Sequence, residues 1–454
     1  MITLRRIYTT WWPLAASWLL MGLEGPAQSA AISRLADPTT NLAAFGGIVF
    51  PLSMIIESPI IMLLSASTAL SKDWASFQRI RRFMMTAGML LTTLHILIAF
   101  TPIFDFLVKG VIGAPGEVIE PARIGLRIMV PWSWSIAYRR FHQGVLIRFG
   151  YSRAVGQGTL VRLSANLIVL MTGLWIGKLP GIAVAASAVS LGVVSEACFI
   201  GILARPVLKN ELKSAPVIEP ALSWKDFFAF YIPLALTSLI SLLANPIGSA
   251  ALSRMPSAVD SLAVWSVVTN LVFMVRSLGI AFNEVVVALL DEIGSFQRLR
   301  QFSMILAITA TGCLLLVATT PLSRLWFGQL VAIPAELLPL AMLALWLALP
   351  LPALAVFQSW YQGNILHSHR TRGITESVIV YLLSNGIVLL LGVIWQQVIG
   401  LYIGLAGLTL GNLAQAAWLW LRARPAMQAV DRRDQEHVAI MKKNLAIFLR
   451  SKKI

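Results

Sequence analysis

Charge is the first thing this sequence is short of. Only 12% of its 454 residues are Asp, Glu, Lys or Arg, while 57% are hydrophobic. A soluble domain carries about a quarter charged residues, so a soluble globular protein is excluded. Cysteine is scarcer still. The two present, Cys198 and Cys313, lie in apolar runs, which excludes a disulfide framework and a cysteine metal site. Five scattered histidines, no Ser/His/Asp set and no glycine-rich phosphate loop leave little for an enzyme or a nucleotide-driven pump. A polytopic membrane enzyme would need Asp, Glu or His clustered at one membrane face, and none is visible. No filter-forming segment marks a channel. Neither a cofactor nor a metal is expected.

What is abundant is long apolar runs. At about 20 apolar residues per crossing, twelve spans are expected, at 11–33, 41–70, 83–104, 121–141, 154–177, 181–204, 227–253, 259–290, 302–320, 336–361, 373–395 and 399–421. The net charge of +16 is not the footprint of a nucleic-acid protein. Lys and Arg crowd the loops on the side of the two termini, including Arg79, Arg81, Arg82, Lys209, Lys213 and Lys225. That asymmetry predicts a multi-pass protein of the cytoplasmic (inner) membrane with both termini in the cytoplasm. Arg5 and Arg6 precede the first run, but no small-residue cleavage site follows. The run reads as a retained helix.

The chain repeats itself. Pro13-Leu14-Ala15 returns as Pro233-Leu234-Ala235, Pro26 as Pro246, and Ser29-Ala-Ala-Ile-Ser-Arg34 as Ser249-Ala-Ala-Leu-Ser-Arg254, an offset of 220. With the offset slipping to 219, Phe77-Gln-Arg-Ile-Arg81 matches Phe296-Gln-Arg-Leu-Arg300, Gln143 matches Gln362 and Asn166 matches Asn385. Each half holds six spans, an even number, so the halves share one orientation. The expected architecture is all-α, with two parallel six-helix bundles related by a pseudo-two-fold axis along the membrane normal. Its parts are an N-terminal lobe (1–204), a cytoplasmic linker (205–225), a C-terminal lobe (226–424) and a basic amphipathic tail (425–454). Two stretches read as helices lying on an anionic leaflet. One is Trp74, Phe77 and Ile80 beside Arg79, Arg81 and Arg82; the other is Val438, Met441, Leu445 and Phe448 in the tail.

With these residues in view, the chain resembles the multidrug/oligosaccharidyl-lipid/polysaccharide flippase (MOP) superfamily, which includes the multidrug and toxic-compound extrusion (MATE) transporters. Within it, the chain is most similar to the progressive ankylosis (ANKH) family. Trp12-Pro13-Leu14 leading to Glu24, and Pro233-Leu-Ala-Leu236 leading to Asn245-Pro246 and Ser253-Arg254, carry the likeness. It implies a V-shaped carrier with a central cavity, moving organic solutes, anions among them, and often coupled to protons or sodium. The expected function is secondary active export by alternating access. Flipping of a lipid-linked precursor is the alternative. The expected partners are a small organic solute, H+ or Na+ where an ion is used, and membrane lipids. A monomer suffices.

Charge inside a bilayer is functional by default. Glu24, halfway along the first span and followed by Gly25 and Pro26, is the candidate coupling residue, with a packing role as the plainer reading. Gln28 shares its face. Glu57, Asn245, Thr269, Arg276, Asn283 and Glu284 are candidates for the cavity or the substrate. Thr269, Arg276 and Asn283 form a stripe at spacings of seven. Glu57 and Arg276 stand at nearly equivalent places in the two halves, so they either face one another across the cavity or are each satisfied within their own lobe. Arg162 and Glu196 become Tyr381 and Gln415 in the repeat. Charges that are absent together read as a structural pair rather than a coupling site.

Overall fold

In a computed structural model of the chain, residues 2–217, 219–368 and 372–451 are described, with side chains to residue 437. They form twelve long helical segments, each apolar enough along one side to bury itself against neighbours. These are α1 (4–32), α2 (Pro38–Leu70), α3 (Trp74–Phe100), α4 (116–148), α5 (Arg153–Ile176), α6 (Gly181–Leu212), α7 (Trp224–Leu252), α8 (Ala258–Leu289), α9 (Ser295–Thr319), α10 (Ala335–His367), α11 (Arg372–Trp395) and α12 (Gly400–Ser451). Among the described residues, nine of the segments are long and apolar enough to cross a bilayer. The helices form two six-helix bundles. Loops 33–37, 101–115, 177–180, 253–257, 320–334 and 396–399 share one face, here the far face. The termini lie on the other, the terminal face.

The internal repeat is written into the backbone. Asp37 and Ser257, Gly113 and Ala332, and Gly177 and Gln396 are equivalent pairs, and all six take the left-handed conformation. Such a position is unfavourable for most side chains. The same turns are therefore kept even where glycine has been replaced. Helix caps repeat as well. The free amide at the start of α6 is satisfied by Asn41 Oδ1 (Ile182 N, 3.2 Å), and that of α12 by Ser261 Oγ (Leu401 N, 3.1 Å).

The two lobes exchange half a helix each. Pro26 has no N–H, so it leaves the Gly22 carbonyl without its intrahelical donor, and α1 breaks at Leu23. Its first half lies on the C-terminal lobe, where Trp11 donates to the Leu278 carbonyl (2.9 Å) and sits edge-on to Phe302. Its second half returns to the N-terminal lobe, with Ala31 and Leu35 among Leu170, Val184 and Ala188. Helix α7 does the reverse, breaking at Leu243 before Pro246. Phe227 and Tyr231 meet Phe83 edge-on, and the Tyr231 hydroxyl donates to the Pro59 carbonyl. The lobes also meet along one stripe of α8. Leu262, Ser266, Asn270 and Met274 face Gly47, Gly46, Gly25 and Gly22, and a methyl on Gly46 would fall 2.2 Å from the Ser266 Cβ.

One expectation needs revision, and two of the expected domain bounds fall inside helices. Trp74, Phe77 and Ile80 do not lie on a leaflet surface. They belong to α3, where Phe77 and Ile80 are fully buried and Phe77 stacks on Phe141. The apolar stripe covers core, while Arg81 and Arg82 of the same helix are exposed. The expected linker begins as the last turns of α6, which run to Leu212. The tail continues α12, and Val430 and Asp434 are buried, with Asp434 Oδ2 accepting from Phe296 N (3.0 Å). The side chains of Val438, Met441, Leu445 and Phe448 lie outside the described residues.

Candidate functional site: a buried ionic network in the N-terminal lobe

The break in α1 places Glu24 at the point where the helix passes from one lobe to the other. There it reaches into the N-terminal lobe. Arg162 Nη2 of α5 stands 3.3 Å from Glu24 Oε2, and Asn166 Nδ2, one turn on, donates to Oε1 at 2.9 Å. Arg162 also lies 3.5 Å from Glu196 Oε2 of α6. Glu196 is fully buried and is held more tightly from α4, by Arg139 Nη1 at 2.7 Å and Gln143 Nε2 at 2.9 Å. Five residues from three helices therefore connect Glu24 to the lobe's interior. Charge-assisted hydrogen bonds are what make such burial tolerable.

Glu57 of α2 extends the network. It is 1% exposed, with Ser133 and Arg139 as its polar neighbours, and neither carboxylate oxygen reaches a hydrogen bond. Ser133 instead meets His95 Nδ1 (2.9 Å), whose Nε2 faces the Leu126 carbonyl (2.9 Å). That carbonyl can only accept, so Nε2 carries the proton and Nδ1 accepts from the serine. Arg140 is half-buried beside Arg139, its Nε buried without a partner. In all, three acids, Glu24, Glu57 and Glu196, lie in one lobe with three arginines, Arg139, Arg140 and Arg162.

The C-terminal lobe keeps the geometry and discards the charge. Gln358, equivalent to Arg139, donates to the Asn412 carbonyl (2.9 Å) and lies 3.3 Å from Gln415 Oε1, the counterpart of Glu196. Arg276 enters this amide cluster with Nη2 on Asn412 Oδ1 (3.1 Å) and Nε unpartnered. Glu57 and Arg276 thus do not meet across the interlobe space, because each turns into its own bundle. The stripe on α8 does not converge either. Thr269 bonds its own helix at the Trp265 carbonyl (2.7 Å), and Asn283 bonds Gln362 (3.1 Å). Gln28 is buried, while Asn245 and Glu284 are exposed. Arg162 and Glu196 do not form a private pair. Arg139 makes the shorter contact, and Arg162 is shared with Glu24.

Outside the bundles, two equivalent arginines bind the far face of one lobe to the other. Arg34 donates to its own Ala30 carbonyl (2.7 Å) and to the Gln329 carbonyl of the opposite lobe (2.7 Å). Arg254 donates to Ala250 (2.7 Å) and across to the Ile112 and Val111 carbonyls (both 2.6 Å). The acceptors end two π-helical turns, Phe106–Ile112 and Leu325–Leu330, where backbone carbonyls lack helical partners. Nearby, Arg123 pairs with both oxygens of Asp105 (2.9 and 3.0 Å), and its guanidinium lies 4.4 Å from the Phe104 ring centroid. The carboxyl of Asp105 is held below the usual carboxylate range by its bond from Lys109 and then by Arg123. On the terminal face, His367 meets Asp291 (3.5 Å), and His369 lies outside the described residues. No group of three metal-ligating side chains occurs among the described residues.

No family model and no curated protein matches this sequence. Solved structures do. An inward-facing multidrug-resistance MATE transporter of the MOP superfamily superposes with a TM-score of 0.69 at 15% identity, over 93% of this chain and 99% of that one. An outward-facing form of a MATE transporter gives 0.61 at 18%, over 93% and 96%. The lipid II flippase MurJ, in an inward closed conformation, gives 0.69 at 12%, over 95% and 92%. The fold is therefore that of the MATE-like MOP transporters, twelve helices in two bundles. At these identities the likeness reaches the fold and no further.

Proposed function

We propose that this protein is a secondary active transporter of the MOP type. It exports organic solutes, anions among them, across the cytoplasmic membrane by alternating access between two lobes, with the terminal face in the cytoplasm. The observation that carries the reading is Glu24, an acid at the one point where α1 changes lobes, ion-paired to Arg162 at 3.3 Å. A charge change there alters what holds the crossing helix, which is the kind of differential contact a two-state carrier requires. Arg276, a guanidinium with an amide partner and an idle Nε, is the candidate contact for an anionic group. Gln28, Glu57, Asn245, Thr269, Asn283 and Glu284 are lesser candidates. Flipping of a lipid-linked precursor is the second reading, and the MurJ-like fold favours it. The narrower likeness to the progressive ankylosis family rests on the sequence motifs alone.

Proteoliposomes test the proposal. Solute uptake and efflux are followed under pH and sodium gradients imposed separately. Gradient-driven movement of a soluble organic anion, weakened by Arg276→Ala, is the expected outcome. Movement of a lipid-linked substrate alone would replace the first reading with the second.

A further inference from the structure

Around Glu24 and Glu196 the polar atoms do not balance. Asn166 and Gln143, 2% and 1% exposed, spend their amide hydrogens on Glu24 and Glu196 respectively. Their oxygens, Asn166 Oδ1 and Gln143 Oε1, are buried with no hydrogen-bond partner. Two carboxylates with two idle amide oxygens in one cluster are a ligand set for a hard cation. Unsatisfied buried acceptors call for an explanation.

The cation already present is Arg162. Its guanidinium stands 3.3 Å from one acid and 3.5 Å from the other, with Nε in no hydrogen bond. Arg139, by contrast, holds Glu196 at 2.7 Å. Arg162 thus supplies positive charge without saturating the oxygens around it, because a planar fork on a fixed stem cannot turn to four acceptors as a spherical ion does. In the repeat, Tyr381 and Gln415 replace Arg162 and Glu196, and Ala244 stands in place of Glu24. Acids and arginine vanish together, as expected of an ion site and its built-in occupant.

We propose that Arg162 is a tethered counter-ion filling what would otherwise be a monovalent-cation site of Glu24, Glu196, Asn166 and Gln143. It thereby makes the buried acids of this lobe independent of sodium. The inference deepens the coupling role given to Glu24. If that role holds, the coupled ion is the proton.

Binding is measured apart from transport, on purified full-length protein in detergent at about pH 8, well above the ordinary carboxylate range. Melting temperatures are compared in sodium chloride and in N-methyl-D-glucamine chloride at equal ionic strength. Wild type should melt at the same temperature in both salts. Arg162→Ala should melt lower in the organic salt and be shifted upward by sodium, and adding Glu24→Gln should abolish that shift. Arg162→Gln, closer in volume, is the second variant and should behave alike. Sodium stabilisation of wild type that Glu24→Gln removes would overturn the proposal. So would an Arg162→Ala protein indifferent to sodium, or failure of both variants to fold in either salt. Because no transport is measured, a failed transport reading leaves this result standing.

Discussion

At the scale of single residues, the network ranks its own members. Glu196 is fully buried and has its shortest contact, 2.7 Å, with Arg139. Arg139→Leu therefore leaves a buried carboxylate with the neutral Gln143 amide and the more distant Arg162 as its partners, and removing one partner of a buried pair costs about 3–5 kcal/mol. Arg162→Leu should cost less. The double change Arg139→Leu/Glu196→Leu should recover part of the loss, since both desolvation penalties go together. Denaturation of the purified variants checks the order, and equal losses for the two arginines would refute it. Asp105 supplies a pH-dependent case. Its carboxyl lies below the usual range because Lys109 and Arg123 favour the charged form. A depressed value contributes stability that is complete above the unfolded pKa of about 3.9. The contribution is lost as the pH falls through the lower folded value. Wild type should thus be more stable than Asp105→Asn near neutrality, with the melting curves converging as the pH falls through the lowered folded value. Curves that stay parallel would assign the pair no role.

At the scale of elements, the paired arginines set the conformation seen here. Arg34 and Arg254 each cross from the end of a repeated helix to carbonyls of the opposite lobe, with three reaches of 2.6–2.7 Å to the Gln329, Val111 and Ile112 oxygens. They hold the far face shut, and the glycine seam under α8 closes only when the lobes are that near. Charge-assisted bonds of this kind are worth roughly 1.5–3 kcal/mol each. Replacing both arginines by alanine should therefore shift the population towards a state open on the far face. Spin labels on Ala36 and Gly328 should report a longer distance in the double variant. An unchanged distance distribution would leave the seam alone as the closure. The sequence makes half of this device readable. The Ser-Ala-Ala-x-Ser-Arg repeat is plain, but its acceptors are backbone carbonyls of loops 101–115 and 320–334, which leave no side-chain signature. The network shows the same limit in another form. Arg162 and Glu196 stand out as isolated charges at mid-span. Arg139 does not stand out in this way, because in an expected span that ends at 141 two adjacent arginines look like a helix end, whereas α4 runs on to Arg148. Comparing the halves residue by residue would have found it, since Arg139 becomes Gln358 by the same rule that turns Glu196 into Gln415.

At the scale of the whole molecule, the two lobes are built alike and charged differently. The swapped half-helices make each lobe hold a piece of the other, so neither can rotate without α1 and α7 bending at Leu23 and Leu243. Only the first of these breaks carries an acid, because Ala244 stands where Glu24 would be. The molecule therefore has one chemically addressable crossing and one passive one. Ionised, Glu24 ties the crossing to α5 through Arg162 and Asn166. Protonated, it loses the attraction to the guanidinium but can still accept from Asn166. Glu24→Gln imitates that second state at nearly constant volume. The variant should fold, since its amide oxygen can keep the Asn166 bond, and it should still bind solute. In proteoliposomes it should move solute down the solute's own gradient, yet gain nothing from an imposed pH gradient that accelerates wild type. Sodium gradients should affect neither protein. If Glu24→Gln transported at the wild-type rate with the same response to pH, the crossing of α1 would be a packing feature. The coupling group would then be sought at Glu57, a buried acid of the same lobe whose carboxylate oxygens make no hydrogen bond.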